Sequence, residues 1–371
     1  MLAGPAQAEI DWNGLSHAYD KAADTPGHLA TLLDADAAVR ARAMGHLWSA
    51  ILHQGTVYPA TAPAARVVAG LLADERAELE LDGAPIRIAL LRFLGEVAES
   101  TSYAPVELDT ACPPGREDEL RGVTAGDWED EEEGVDFSDV LFEVMWSRAV
   151  AACRDSVGDL LAAVTPWLAD PGCGRAARYA AVRLHKAGDV PTESITEHLR
   201  DVAVSGAPAT ERAEAVLALG DLQADTSGYL HDAEQVVRVC AALHATRDTA
   251  EILAGLLALP ESDEWLVDTP YLSGKLRFHL VAAAVERVDD FADLLPAALH
   301  VLRFAGPFTV ERDWGPLLGK ALEGPADARR TFLDALIETE GLWDPRNGNA
   351  SVYLRKLGLP SEREAFRAAT A

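Results

Sequence analysis

Apolar side chains recur along this chain at spacings of three and four, the period of a helix with one buried face. Val39, Ala43, Met44, Leu47, Trp48 and Ile51 sweep one arc of a helix over 36–53; Ile86, Leu90, Phe93, Leu94 and Val97 do the same over 85–100. The same spacing predicts helices near 137–152, 155–169, 174–187, 192–204, 209–222, 232–245 and 247–259, then 273–288, 290–304, 309–322 and 326–340. Two short helices are expected to close the tail after the DPRNGN loop. No segment sustains the strict alternation of a half-buried strand, so no sheet is expected.

Punctuation agrees with this reading. Thr25 is placed to cap a helix whose first position is Pro26, where the missing N–H costs nothing. Asp36 is placed to cap the next, and Gln54-Gly55 to end it, since glycine tolerates the left-handed backbone of a helix C-terminus. A further helix covers 63–74, and Pro85 opens the one after it. Between 101 and 135 the rhythm breaks: CPPG is followed by DWEDEEEG, whose adjacent carboxylates repel and resist burial. This divides the chain into helix pairs over 1–100, an acidic loop insertion over 101–135, and helix pairs over 136–371 continuous with the first as one elongated array.

One phrase repeats: an apolar residue, an arginine, then an apolar ridge ending in leucine. It runs from Val39-Arg40 to Leu47, from Ile86-Arg87 to Leu94-Gly95, and from Arg212 to Leu219-Gly220, with looser copies at Arg178, Val237-Arg238 and Leu276-Arg277. Repetition of a helix pair is the signature of a solenoid. The pattern of Asp36, Val39, Arg40, Ala43 and Leu47 resembles the second helix of a HEAT repeat, and the later copies resemble the same element. The resemblance implies an all-α fold, an α-solenoid of stacked antiparallel helix pairs. It also implies small residues where helices approach closely, and arginines paired with acids of a neighbouring repeat. The spacing from Arg40 to Arg87 is long for that family, and 101–135 has no place in a regular array. HEAT-like proteins include scaffolds, inhibitors and a few enzymes, among them alkylpurine DNA glycosylases and bilin lyases, so architecture does not name an activity.

Composition narrows the classes. Hydrophobic residues make up 49% of 371 and aromatics 6%, an Ala-, Leu- and Val-rich interior suited to close helices. Sixty acidic side chains against 32 basic ones give a net charge of −28, which repels phosphate backbones and anionic membranes and favours cationic partners. Neither a transmembrane run nor a basic, apolar leader is read here, and a cytoplasmic location is the default. Cys112, Cys153, Cys173 and Cys240 form no C-x-x-C pair, so no zinc ribbon is expected. Nucleotide-cradling glycine loops, a G-x-S-x-G elbow and HExxH are likewise missing, and no cofactor, metal or catalytic residue is assigned.

Candidate binding residues concentrate early. Arg42, His46, Ser49 and His53 line one stripe of the helix over 36–53; Arg92, Glu96 and Glu99 line one stripe of the helix over 85–100. Aligning the arginines of the two phrases sets Ser49 beside Glu96, so stacked repeats would make the stripes neighbours. Histidine beside a carboxylate serves as acid, base or ligand near neutral pH, but residues seven apart lie about 10 Å apart along a helix, too far to share one ion. The turn HQGTVYPATAP gathers His53, Gln54, Thr56 and Tyr58, with His17 and Tyr19 the guessed edge of any pocket there. Glu131, Glu132 and Glu133 of the acidic run complete the set. The function expected is a protein-binding solenoid that grips or inhibits a basic protein, with no nucleic acid or membrane partner. The alternative is an enzyme acting on a small molecule or peptide near His46, His53, Tyr58 and Glu96.

Overall fold

Asp36 starts its helix by accepting the N–H of Ala38 at 2.8 Å, and Asp139 and Asp290 start theirs the same way. Such caps and the apolar ridges behind them build a mostly helical protein. The computed structural model describes residues 10–127, 139–188, 190–245, 249–263, 265–266, 269–344 and 348–370. The chain divides into two compact units, one ending at Ile195 and one beginning at Thr196.

The first unit carries α1 (Thr25–Ala30), α2 (Ala37–His46), α3 (Thr61–Leu71), a pair of two-residue strands β1 (Glu80–Leu81) and β2 (Ala84–Pro85), α4 (Ile86–Ser102), α5 (Glu117–Ala125), α6 (Val140–Asp155), α7 (Val157–Val164) and α8 (Gly174–Ala187). Helix α4 is its axis, packing on α3, α6, α7 and α8. Ile86, Leu90, Phe93 and Leu94 of α4 are fully buried, as the apolar spacing of 85–100 predicts. After α9 (Glu193–Val204), the second unit carries α10 (Ala209–Asp221), α11 (Gln235–His244), α12 (Thr249–Leu257), α13 (Leu276–Arg287), α14 (Phe291–Val301), α15 (Trp314–Glu323), α16 (Ala326–Glu338), α17 (Gly348–Lys356) and α18 (Arg363–Thr370). Helix α10 packs on α11, α11 on α12, α12 on α13, α14 on α15 and α15 on α16, and α11 packs on α13, α12 on α14, α13 on α15 and α14 on α16 as well.

Three details depart from the sequence-based expectation. Although no sheet was expected, β1 and β2 pair antiparallel across Asp82-Gly83, whose φ angles of +53° and +81° form the left-handed turn that Asp-Gly favours in tight hairpins. The insertion over 101–135 is not all loop: its part over Glu117–Ala125 is α5, with Leu120 buried against Leu141, Val144 and Met145 of α6. This packing is compatible with the acidic first turn, whose Glu117, Asp118 and Glu119 stay exposed at a helix N-terminus, where negative charge is favourable. Finally, α2 ends as an α-helix at His46 and widens into a π-turn over Leu47–Ile51, closed by Leu52 N–H donating to Leu47 C=O. The chain then reverses at Gln54 and Gly55, both left-handed.

The arginines of the repeated phrase are internal braces. Arg40 donates to the carbonyls of Asp34 (2.7 Å), Ala35 (3.0 Å) and Glu80, which ties α2 to its own leading turn and to β1. Arg87 binds the Leu72 carbonyl at 2.9 Å, pairs with Glu78, and lies over the Trp167 ring at 3.9 Å. Arg212 pairs with Asp232 (3.0 Å), Arg238 with Glu251 (3.1 Å), and Arg277 with Asp263 and Asp313. Glycine plays the complementary part. A Cβ added to Gly95 of α4 would lie 2.7 Å from the Tyr179 ring and 3.2 Å from the Ala180 backbone on α8. Because backbone cannot move aside as a side chain can, Gly95→Ala is expected to lower the stability of the first unit by roughly 1–3 kcal/mol, the usual overpacking cost. A urea midpoint unchanged from wild type would contradict this contact.

Candidate functional site

Four of the chain's ten histidines fall within its first 53 residues, and three of them meet around one carboxylate. The segment Ser16–Lys21 turns back on itself: Ser16 bridges Lys21, and His17 N–H donates to Asp20 C=O at 2.9 Å. This turn is pinned to the loop after α2. Ala18 N–H donates to Ala50 C=O at 3.0 Å, a carbonyl that the ending helix leaves free, and Ala60 N–H donates to Ser16 C=O at 3.1 Å. His17 and Tyr19 are thereby carried against the end of α2.

Asp24, at the start of α1, is the centre. Its Oδ1 lies 3.1 Å from His17 Nε2, and its Oδ2 lies 3.8 Å from His46 Nδ1 and 3.9 Å from His28 Nε2. His46 Nε2 meets Thr25 Oγ1 at 3.0 Å. The rings of His28 and His46 stack at 4.1 Å and 9°, and His17 stands edge-on to His46 at 5.4 Å. His17 and His46 are buried, Thr25 is fully buried, and Asp24 is exposed. The Nδ1 of His17 accepts the N–H groups of Tyr19 and Asp20, both at 3.3 Å, so a neutral ring carries its proton on Nε2 and donates it to Asp24. Burial pushes the pKa of His46 down to about 4, helped by neighbouring His28 and opposed by the carboxylate of Asp24. His46 is therefore a neutral imidazole at pH 7.

The residues singled out in the sequence fall into three groups. His46 lies inside the cluster. His53 touches its rim, with Nδ1 3.4 Å from Tyr19 Oη and 3.0 Å from Ser49 C=O, which confirms that LSHAYD and HQGTVYPATAP adjoin. Gln54 is exposed on the left-handed turn, Thr56 is half-buried, and Tyr58 is half-buried with its pKa raised by burial. Thr61 fixes that turn, accepting Tyr58 N–H at 2.8 Å and donating to Ile51 C=O at 2.6 Å. Arg42, Ser49 and Arg92 are exposed.

Glu96 and Glu99 belong elsewhere. The turn at Gly55 reaches Ser100, and Trp48 meets Phe93 edge-on, so the two helices do adjoin. Yet both carboxylates are committed to α8: Glu96 accepts the Tyr179 hydroxyl at 2.7 Å, and Glu99 pairs with Arg183 at 3.0 Å. Burial and Glu96 together drive the Tyr179 hydroxyl pKa far up, so it remains a donor. Glu131, Glu132 and Glu133 lie outside the described residues.

Sequence reasoning missed Asp24 and His28, and treated Thr25 as a helix cap. Thr25 is the first residue of α1, and its hydroxyl holds His46 instead. The crowding of histidine into the first 53 residues was the available signal. Among the described residues, the ligand atoms of His17, Asp24 and His46 lie within 4.8 Å of one another. The arrangement offers a neutral buried imidazole, a second imidazole and an exposed carboxylate. The Thr25 hydroxyl is not an accessible nucleophile, since it is sealed from solvent. The four cysteines are unpaired; burial raises Cys153 to about 12 and Cys173 to about 11, which keeps both as inert thiols at neutral pH. Comparison of the chain with family models, with curated proteins and with solved structures found no match.

Proposed function

We propose that the chain is an interaction module, a HEAT-like array of helix pairs whose acidic surface binds a basic protein and neutralises or holds it. One observation carries this reading: the sorting of charge between inside and outside. Arg40, Arg87, Arg178, Arg183 and Arg277 are buried, and Arg154 and Arg287 spend their guanidinium groups on the carbonyls of 101, 104 and 105 and of 242, 243 and 245. Cations bound to carbonyls cancel no carboxylate. Meanwhile Asp11, Asp24, Asp36, Glu75, Glu80 and Asp82 of the first unit, and Glu286, Asp289, Asp290, Asp293, Asp327 and Asp334 of the second, are exposed. Each unit thus carries carboxylates at its surface, in a chain whose net charge is −28. Such a surface speeds and orients association with a cationic partner.

Catalysis around His46, His53, Tyr58 and Glu96 has less support, because Glu96 is engaged by Tyr179 and the hydroxyl beside His46 is sealed. The module is tested by using the full chain as bait in its native extract. Capture of a basic protein at 50 mM salt, with affinity at least tenfold weaker at 300 mM, is the expected result, since the screening length falls about 2.5-fold over that range. Recovery of only acidic partners, or affinity indifferent to salt, would overturn it.

A further inference from the structure

The geometry points to a binding site for a divalent first-row transition cation, of which Zn2+ is the type, formed by His17, Asp24 and His46. Two imidazoles and one carboxylate are the donor set that suits such ions, whereas calcium and magnesium require a shell of oxygen. Asp24 already brings its two oxygens to 3.1 Å from His17 Nε2 and 3.8 Å from His46 Nδ1. Ligands bound at about 2.0–2.2 Å around a tetrahedral ion stand a little over 3 Å apart; the three ligand atoms lie within 4.8 Å of one another, so rotations of the exposed aspartate together with both imidazoles close the shell. The fourth position falls to half-buried His28 of α1, whose Nε2 lies 3.9 Å from Asp24 Oδ2. His28 lies parallel to His46, so its lone pair cannot converge with that of His46 until the ring swings out. A water molecule holds that position otherwise.

The surroundings support His46 as a ligand. With Nδ1 on the ion, its proton resides on Nε2 and is donated to Thr25 Oγ1 at 3.0 Å, the outer-shell contact that fixes ring orientation in metal sites. His17 carries the opposing cost. Its Nδ1 accepts two backbone N–H groups, and ligation through Nε2 moves the ring proton to Nδ1, against those donors. Both contacts are long at 3.3 Å and lie in the exposed bend at Tyr19, so the bend shifts to release them when the ion binds.

The experiment uses the full chain freed of metal by chelator, titrated with Zn2+ by calorimetry and with Co2+ by visible absorption. One ion per chain is expected, with the ligand-field band of a four-coordinate cobalt site, and a hundredfold excess of Zn2+ over its Kd raises the melting temperature of the first unit by roughly 5–10 °C. Asp24→Asn, at an exposed position, and His46→Gln each abolish the cobalt band. Thr25→Ala, which leaves the ligands in place, weakens affinity roughly ten- to a hundredfold at unchanged stoichiometry. His231→Gln, at an exposed position of the second unit, leaves both unchanged. Circular dichroism of each metal-free variant separates lost ligation from lost folding. Absence of a stoichiometric site in the wild type, or equal affinity in Asp24→Asn, overturns the assignment. Neither outcome bears on the binding of a basic protein.

Discussion

Replacement of Arg277 by methionine is expected to destabilise the unit beyond Thr196 by about 3–5 kcal/mol, the cost of leaving buried charge without its partner. Arg277 is 2% exposed and stands between two acids, with Asp313 Oδ2 at 2.8 Å and Asp263 Oδ2 at 3.1 Å. Asp313 is itself fully buried and caps α15 through the N–H of Trp314, so the pair joins α13 to the start of α15. The rings of Phe278 and Phe304 flank the guanidinium at 5.0 and 5.5 Å, which excludes water from the gap a methionine would leave. Lys275 reaches Asp263 at 2.8 Å and supports that carboxylate alone. Urea unfolding measures the loss. Adding Asp263→Asn and Asp313→Asn to the methionine variant removes the stranded charge and is expected to restore most of the stability. A single-variant loss below about 1 kcal/mol, the range of exposed pairs, would show that the arginine is no brace.

The second large effect is a pH dependence with an unusual sign. Burial raises the Asp313 pKa to about 6 even though Arg277 and the Trp314 N–H pull it down. A carboxyl whose folded pKa lies above its unfolded value near 3.8 binds its proton more tightly in the folded state. Below about pH 3 both states are protonated and the group contributes nothing. As pH rises from about 4 to 6 the unfolded chain ionises first, and above pH 6 the second unit has lost about 3 kcal/mol that it held when acidic. Asparagine at 313 carries no such titration. The stability difference between wild type and Asp313→Asn is therefore expected to move by about 2.5 kcal/mol in favour of wild type between pH 7.5 and pH 4, measured by urea midpoints. A difference that stays flat over that interval would place the ordinary carboxylate pKa at this position.

How far the sequence foretold these features depends on how local each one is. Caps and ridges are local: Asp36 starts α2, Pro26 sits in the first turn of α1, and Leu90, Phe93 and Leu94 are buried where the period places them. The arginine phrase was legible as a repeated element and the structure shows its work, each copy holding carbonyls or an acid from a neighbouring turn. The hairpin at Asp82-Gly83 was readable from its two central residues alone, but strands of two residues leave no alternation to notice. Helix α5 was hidden because its single fully buried side chain, Leu120, gives no ridge, and its exposed acids resemble a solvated loop. The direction of Glu96 and Glu99 toward α8 depends on a helix pairing more than eighty residues apart in sequence, which no local stripe records. The cluster around Asp24 is tertiary in the same sense, drawing one residue from a turn, one from the start of α1 and one from the end of α2.

The arginines that grip main-chain carbonyls set a pattern of tolerance to sequence change. Every residue type carries a carbonyl, so the residues at 34 and 35 can be exchanged without loss of the Arg40 tether, and the same holds for 105 under Arg154 and for 245 under Arg287. What these tethers do not accept is a change in chain length, because one residue more or less would move the acceptor out of reach. Drift in side chains with strict conservation of loop length is the form of variation this scaffold admits at those loops. Deletion scanning would find its intolerant points there, beside positions that take almost any substitution.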